Sequence, residues 1–121
     1  MTNIIAIVLA AILQVESQGG TDKRHGDNGK AVGPYQLHTE AVREANRIDA
    51  IYARRYKRKA RRWTYSDRNS MKKSRAMSEL ILIRFYRTGI TDPVTLGCRH
   101  RNPYSQDNAE YRRKIKREIG N

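Results

Sequence analysis

Cysteine is nearly missing from this chain: Cys98 stands alone among 121 residues. A single cysteine excludes an intramolecular disulfide and any multi-cysteine metal site. Stability must come from packing, which fits synthesis in a reducing compartment and leaves action outside the cell open. Histidine is also sparse. His25, His38 and His100 are too scattered for a zinc pattern such as H-E-x-x-H, and the sequence implies no cofactor. Acidic residues are few, 12 against 25 Lys plus Arg, for a formal charge of +13. That surplus attracts polyanions: nucleic acid, anionic membrane and anionic cell-wall polymer all qualify. No apolar run reaches the roughly 20 residues that span a bilayer.

The length suits one domain over residues 1–121 with a modest core. "MTNIIAIVLAAIL" has the apolar stretch of a signal peptide but neither a basic leader nor a clear cleavage site. It is expected to form a buried first helix, apolar all round. Thr2 or Asn3 would cap it and Gly19-Gly20 would end it. "GGTDKRHGDNGKAVGPYQLH" then reads as a loop or small hairpin, with "KAV" and "YQL" as short strands. Thr39 should cap a second helix whose Val42, Ala45, Ile48 and Tyr52 share one side. After the polar turn "SDRNS", Met77, Leu80, Ile81 and Phe85 mark a third helix stopped by Gly89. Asp92-Pro93 starts a short fourth helix, on which Cys98 reads as a small buried hydrophobe. Tyr111, Ile115 and Ile119 give the last helix a narrow apolar stripe and a wet basic face.

One residue is placed for chemistry. Glu16 arrives where the first apolar run ends. A carboxyl at the exit of an apolar helix is partly desolvated, which favours its protonated form and suits a general acid. Glycoside cleavage by two carboxylates needs a second acid that stays ionised, and the glycine-rich loop offers Asp22 or Asp27. By composition and spacing alone, an exposed acid at a helix end is the readier reading of Glu16.

"LQVESQGG", followed by "GDNGKAVGPYQLH" and the helical "EAVREANRI", resembles the catalytic core of the lysozyme-like superfamily. The nearest likenesses are small phage and bacterial domains akin to soluble lytic transglycosylases, and invertebrate-type lysozymes, which share V-E-S followed by G-P-Y-Q. The likeness runs from Ile4 to Ile48, with a weaker echo in "DRNSMKKSRAMSELIL" and "HRNPYSQDNAEYRRKI". It implies an α+β, mostly α-helical, lysozyme-like fold with a small loop or β-hairpin at the active-site cleft. It also implies a peptidoglycan-cleaving glycosidase. Glu16 then resembles the catalytic acid, Ser17 the small residue supporting it, and Asp27 the second carboxylate. Gly33, Tyr35 and Gln36 resemble the segment lining the sugar cleft, with Gln36 set to bond an N-acetyl group or backbone. Tyr111 resembles the tyrosine of the last helix. Two departures stand out. "HRNP" replaces the N-G-G-P turn of related domains, and the cysteine content is far below that of invertebrate-type lysozymes, which favours the microbial or phage branch.

The resemblance implies a substrate in bacterial peptidoglycan and action at the cell wall, in the periplasm or outside the cell, with a phage context fitting well. A lytic transglycosylase is the close variant. The competing reading comes from "RRYKRKARRW", with seven cations among residues 54–62, interleaved with Tyr56 and followed by Trp63. That run suits anionic wall polymers, or a nucleic-acid-binding protein working through Arg54 to Arg62.

Overall fold

The computed structural model describes residues 2–101 and 108–120, apart from the side chains of Thr2 and Asp27. Five α-helices carry the fold: α1 (Thr2–Ser17), α2 (Thr39–Arg55), α3 (Met71–Arg87), α4 (Pro93–Arg101) and α5 (Ala109–Gly120). Two short 3-10 turns, Asp27–Gly29 and Tyr65–Asn69, punctuate the loops. The chain is thus mostly helical, as the periodicities require.

The third helix is the hub. It packs against α1, α2 and α4, while α4 and α5 pack on each other and both lie against α1. The backbones of the first two helices do not approach each other closely. One apolar cluster joins Val8, Leu9 and Ile12 of α1 to Val42 and Ile48 of α2, Met77 and Leu82 of α3, Leu96 of α4 and Ile115 of α5. Each such side chain contributes about 1.5 to 3 kcal/mol by leaving water. Gly97 lets α4 and α5 approach closely, because a Cβ there would lie 2.9 Å from a methyl of Ile115.

Local chemistry sets the ends. Asp92 starts α4, its carboxylate accepting from the Thr95 amide at 2.9 Å. Ser70 starts α3 by accepting from Lys73 N at 3.1 Å, and Asn108 starts α5 by accepting from Tyr111 N at 3.0 Å. The apolar stripe of α5 docks, with Tyr111 and Ile115 buried and Ile119 partly so. Cys98 is buried, as expected of a small hydrophobe.

Four sequence expectations change. The first helix is not apolar-buried all round: Asn3, Ala6, Ile7, Ala10 and Gln14 form an exposed face, because no other helix covers that side. Thr2 and Asn3 already lie within α1, so neither is its cap. Thr39 is the first helical residue of α2, and the capping position falls to His38 without a side-chain bond. The short strands shrink to single bridges, Gly26 with Ala31 and Val32 with Leu37. Positive φ at Asn28, Gly29, Gly33 and Gln36 turns the backbone too often for a ladder to extend.

Candidate functional site

Glu16 occupies the last turn of α1 and is half-buried. The residue after it fixes the exit. Ser17 is buried, donates its hydroxyl to the Leu13 carbonyl at 3.2 Å and accepts from the Gly20 amide at 3.0 Å. The backbone of the following turn closes with Gly19 N to Leu13 O and Asp22 N to Ser17 O. The loop therefore leaves α1 in one fixed direction beside Glu16.

Across the site stands α5. Burial pushes the Tyr111 phenol far above its ordinary range, and the negative charge of Glu16 adds to that shift. The structure thus brings Glu16 and Tyr111, 95 positions apart, into electrostatic reach. Arg101 of α4 lies over the Tyr111 ring at 4.5 Å and opposes the shift. The Tyr111 hydroxyl is buried and has no hydrogen-bond partner among the described residues.

The loop after Glu16 is braced from within. Gln36 accepts from the Gly26 amide at 2.9 Å and donates to the carbonyls of Arg24 and Gly33 at 3.0 and 2.9 Å. Both hydrogens of its amide are thereby committed to backbone, the second of the two partners expected for Gln36. Gly33, at φ +86°, sits so tightly against the Arg68 carbonyl that any Cβ would overlap it. Arg68 in turn donates to the carbonyls of Lys30 and Leu37, both at 3.2 Å. Tyr35 is only 2% exposed and packs in the core, so its ring is not displayed to solvent. Burial raises its phenol against the pull of Arg75 on α3. These three residues, read from the sequence as cleft lining, shape the loop by holding it to α3 and to the Tyr65–Asn69 turn.

Of the two loop acids, Asp22 is gripped by Arg24, whose Nε and terminal nitrogen reach both carboxylate oxygens at 2.8 to 3.2 Å. Those bonds hold its carboxyl down at about 2, so it stays ionised. The backbone of Asp27 opens the Asp27–Gly29 turn, and its side chain lies outside the described residues. Of "HRNP", His100 and Arg101 end α4, whereas Asn102 and Pro103 lie outside the described residues. His100 bonds Ser78 of α3 through Nε2 at 2.9 Å, and burial pushes its pKa down to about 4.

The basic run is only partly a free surface. Asp49 of α2, fully buried, pairs with Arg58 at 2.9 Å and Arg61 at 2.8 Å and also accepts from the Arg61 amide. Burial raises this carboxyl, but the arginine bonds outweigh it and hold it well below the carboxylate range. The Asn46 side chain clamps both the amide and the carbonyl of Trp63, so residues 58–63 are strapped along α2. Sequence reasoning missed this strap because its partners are 9 to 17 positions apart. Trp63 is partly buried against the core.

Among the described residues no group of three His, Cys, Asp or Glu gathers to hold a metal ion, and no helix is long and apolar enough to cross a membrane. No protein-family model matches the chain, and comparison with curated proteins and with solved structures finds no match either.

Proposed function

We propose that the chain is a lysozyme-like glycosidase cleaving the β-1,4 bond between N-acetylmuramic acid and N-acetylglucosamine in bacterial peptidoglycan. The observation that carries the reading is the setting of Glu16: half-buried at the end of α1, beside a Ser17-locked turn, with the buried Tyr111 within electrostatic reach. A half-buried carboxyl on a braced helix end is the placement a general acid needs.

In this reading Glu16 protonates the departing glycosidic oxygen as the anomeric carbon gains positive charge. Asp27 supplies the second carboxylate. It attacks that carbon, positions water or stabilises the cation, according to the distance between the two groups. Tyr111 excludes water from one side of Glu16. Gly33, Tyr35 and Gln36 keep the loop bearing Asp27 in place from behind, and Ser17 sets the angle at which that loop leaves Glu16. Acid and base chemistry of this kind runs without a cofactor. The place of action is the cell wall, outside the cell or in the periplasm, where exposed cations such as Arg113, Lys114 and Lys116 draw the protein to anionic wall polymer. In a transglycosylase variant Glu16 serves alone as acid and then base, and a hydroxyl of the muramic acid closes an anhydro ring.

Digestion of purified peptidoglycan tests this. Wild type should release soluble muropeptides, and Glu16→Gln should release them about 10²- to 10⁴-fold more slowly. Equal release by both proteins removes Glu16 from the chemistry.

A further inference from the structure

On the solvent-facing side of α2, the strapped segment and the helix enclose an open groove. A cavity of about 500 Å³ lies between Arg43, Asn46, Arg47 and the stretch Arg61-Arg62-Trp63. A second of about 320 Å³ continues from it past Tyr65, sharing Arg43, Asn46 and Trp63. Every ionisable group on these walls other than Tyr65 is an arginine. Arg43 donates to the Tyr65 hydroxyl at 3.1 Å and pairs with Glu40 at 3.4 Å, and Arg47 is held by Glu44. Arg61 is fixed twice, by Asp49 and by stacking 4.7 Å over the Trp63 ring. Arg62 is exposed and has no carboxylate partner among the described residues. The groove is therefore preformed, so a ligand would not have to order three of its four cations.

We propose that this groove binds a short segment of single-stranded nucleic acid, as an activity separate from that of Glu16. The chain's formal charge of +13 and Arg62, which has no carboxylate partner among the described residues, select a polyanion, and guanidinium groups match phosphate geometry. The two aromatic rings narrow the choice. Tyr65 is 46% exposed, and the half-exposed Arg61 guanidinium stacked on Trp63 presents a second flat surface. Alternation of cations with aromatic faces suits a strand whose phosphates and bases alternate. A base-free phosphate polymer would use the arginines and leave the rings idle. Of the cations in the basic run only Arg61 and Arg62 line this groove, and Arg58 is engaged with Asp49.

Trp63 is the single tryptophan, so its fluorescence reports on the groove alone. The protein is titrated with an oligothymidylate of about ten nucleotides, with an abasic deoxyribose-phosphate oligomer of equal length, and with poly(glycerol phosphate). The thymidylate should quench Trp63 to saturation and bind at least about tenfold more tightly than either base-free polymer. Arg62→Gln should weaken it about three- to tenfold and reduce the salt dependence by about one counterion. Lys116→Gln, on the remote α5, and Glu16→Gln should bind as wild type does, whatever their effect on wall cleavage. Unchanged Trp63 emission, equal affinity for the base-free polymers, or an Arg62→Gln titration that overlays wild type would overturn the assignment.

Discussion

His100 should give the fold an acid-sensitive step that one substitution removes. Its ring bonds Ser78 between α4 and α3, and burial lowers its pKa from 6.5 to about 4. Between those values the unfolded chain binds a proton that the folded chain refuses, so stability rises with pH across the window. The contribution is complete above about 6.5 and is lost as pH falls towards 4. At about 1.4 kcal/mol per pH unit the full effect is about 3.5 kcal/mol, and partial exposure of the residue brings it to about 2 to 3 kcal/mol. For a chain of this size that is a fall in Tm of about 10 °C. The assay is thermal unfolding by circular dichroism at half-unit steps from pH 4 to 7.5, for wild type and His100→Gln. The other two histidines are common to both proteins and cancel in the difference. Wild type should lose stability steeply below pH 6.5, and the variant should be flatter by most of that amount. Parallel curves would refute the placement of a neutral His100 between the helices.

Further outcomes follow from the loop and the strap. Gly33→Ala should cost at least about 2 kcal/mol in chemical denaturation, since the positive φ and the Arg68 carbonyl both oppose a Cβ; a change under about 0.5 kcal/mol would show that the loop does not press on the Tyr65–Asn69 turn. Asp49→Asn should destabilise by about 2 to 3 kcal/mol at neutral pH, below the span for a fully buried pair because Arg58 and Arg61 are partly exposed. Its carboxyl is depressed in the fold, so the stability it adds is present above the ordinary aspartate range and is lost as pH falls below it. The wild-type advantage over Asp49→Asn should therefore shrink below about pH 4, and an advantage that stays constant to pH 2 would contradict the pairing.

What the sequence disclosed follows the range of the interactions. Helix stops and starts are local, so Gly89, Asp92-Pro93 and the Tyr111, Ile115, Ile119 stripe were legible by eye. The first helix misled because an apolar run lacks a polar face to show which side stays wet; Ile7 is 48% exposed although Ile5, Val8 and Leu9 beside it are core. The loop misled differently. "KAV" and "YQL" have strand-like composition, but the Gln36 clamp and the Gly33 contact with Arg68 bend the chain at positions that composition does not mark. For the candidate site, Glu16 and Ser17 were legible as a helix exit. The reach of Tyr111 depends on how α5 packs on α1, a contact between the two ends of the chain that no local pattern encodes. The arginine groove was hidden for the same reason: the run of cations is plain, whereas Asp49 and Asn46, which fold it against α2, look like ordinary helix residues.

The most direct test of the central claim is the chemistry of the products. Peptidoglycan is incubated with wild type and with Glu16→Gln, after unfolding curves establish that both are folded, and the soluble fragments are identified by mass spectrometry. Muropeptides with reducing muramic acid ends from wild type, and a near absence from the variant, are the predicted result; 1,6-anhydro ends would move the assignment to the transglycosylase variant with Glu16 still at its centre. No fragments from folded wild type, or the same yield from both proteins, would contradict the account.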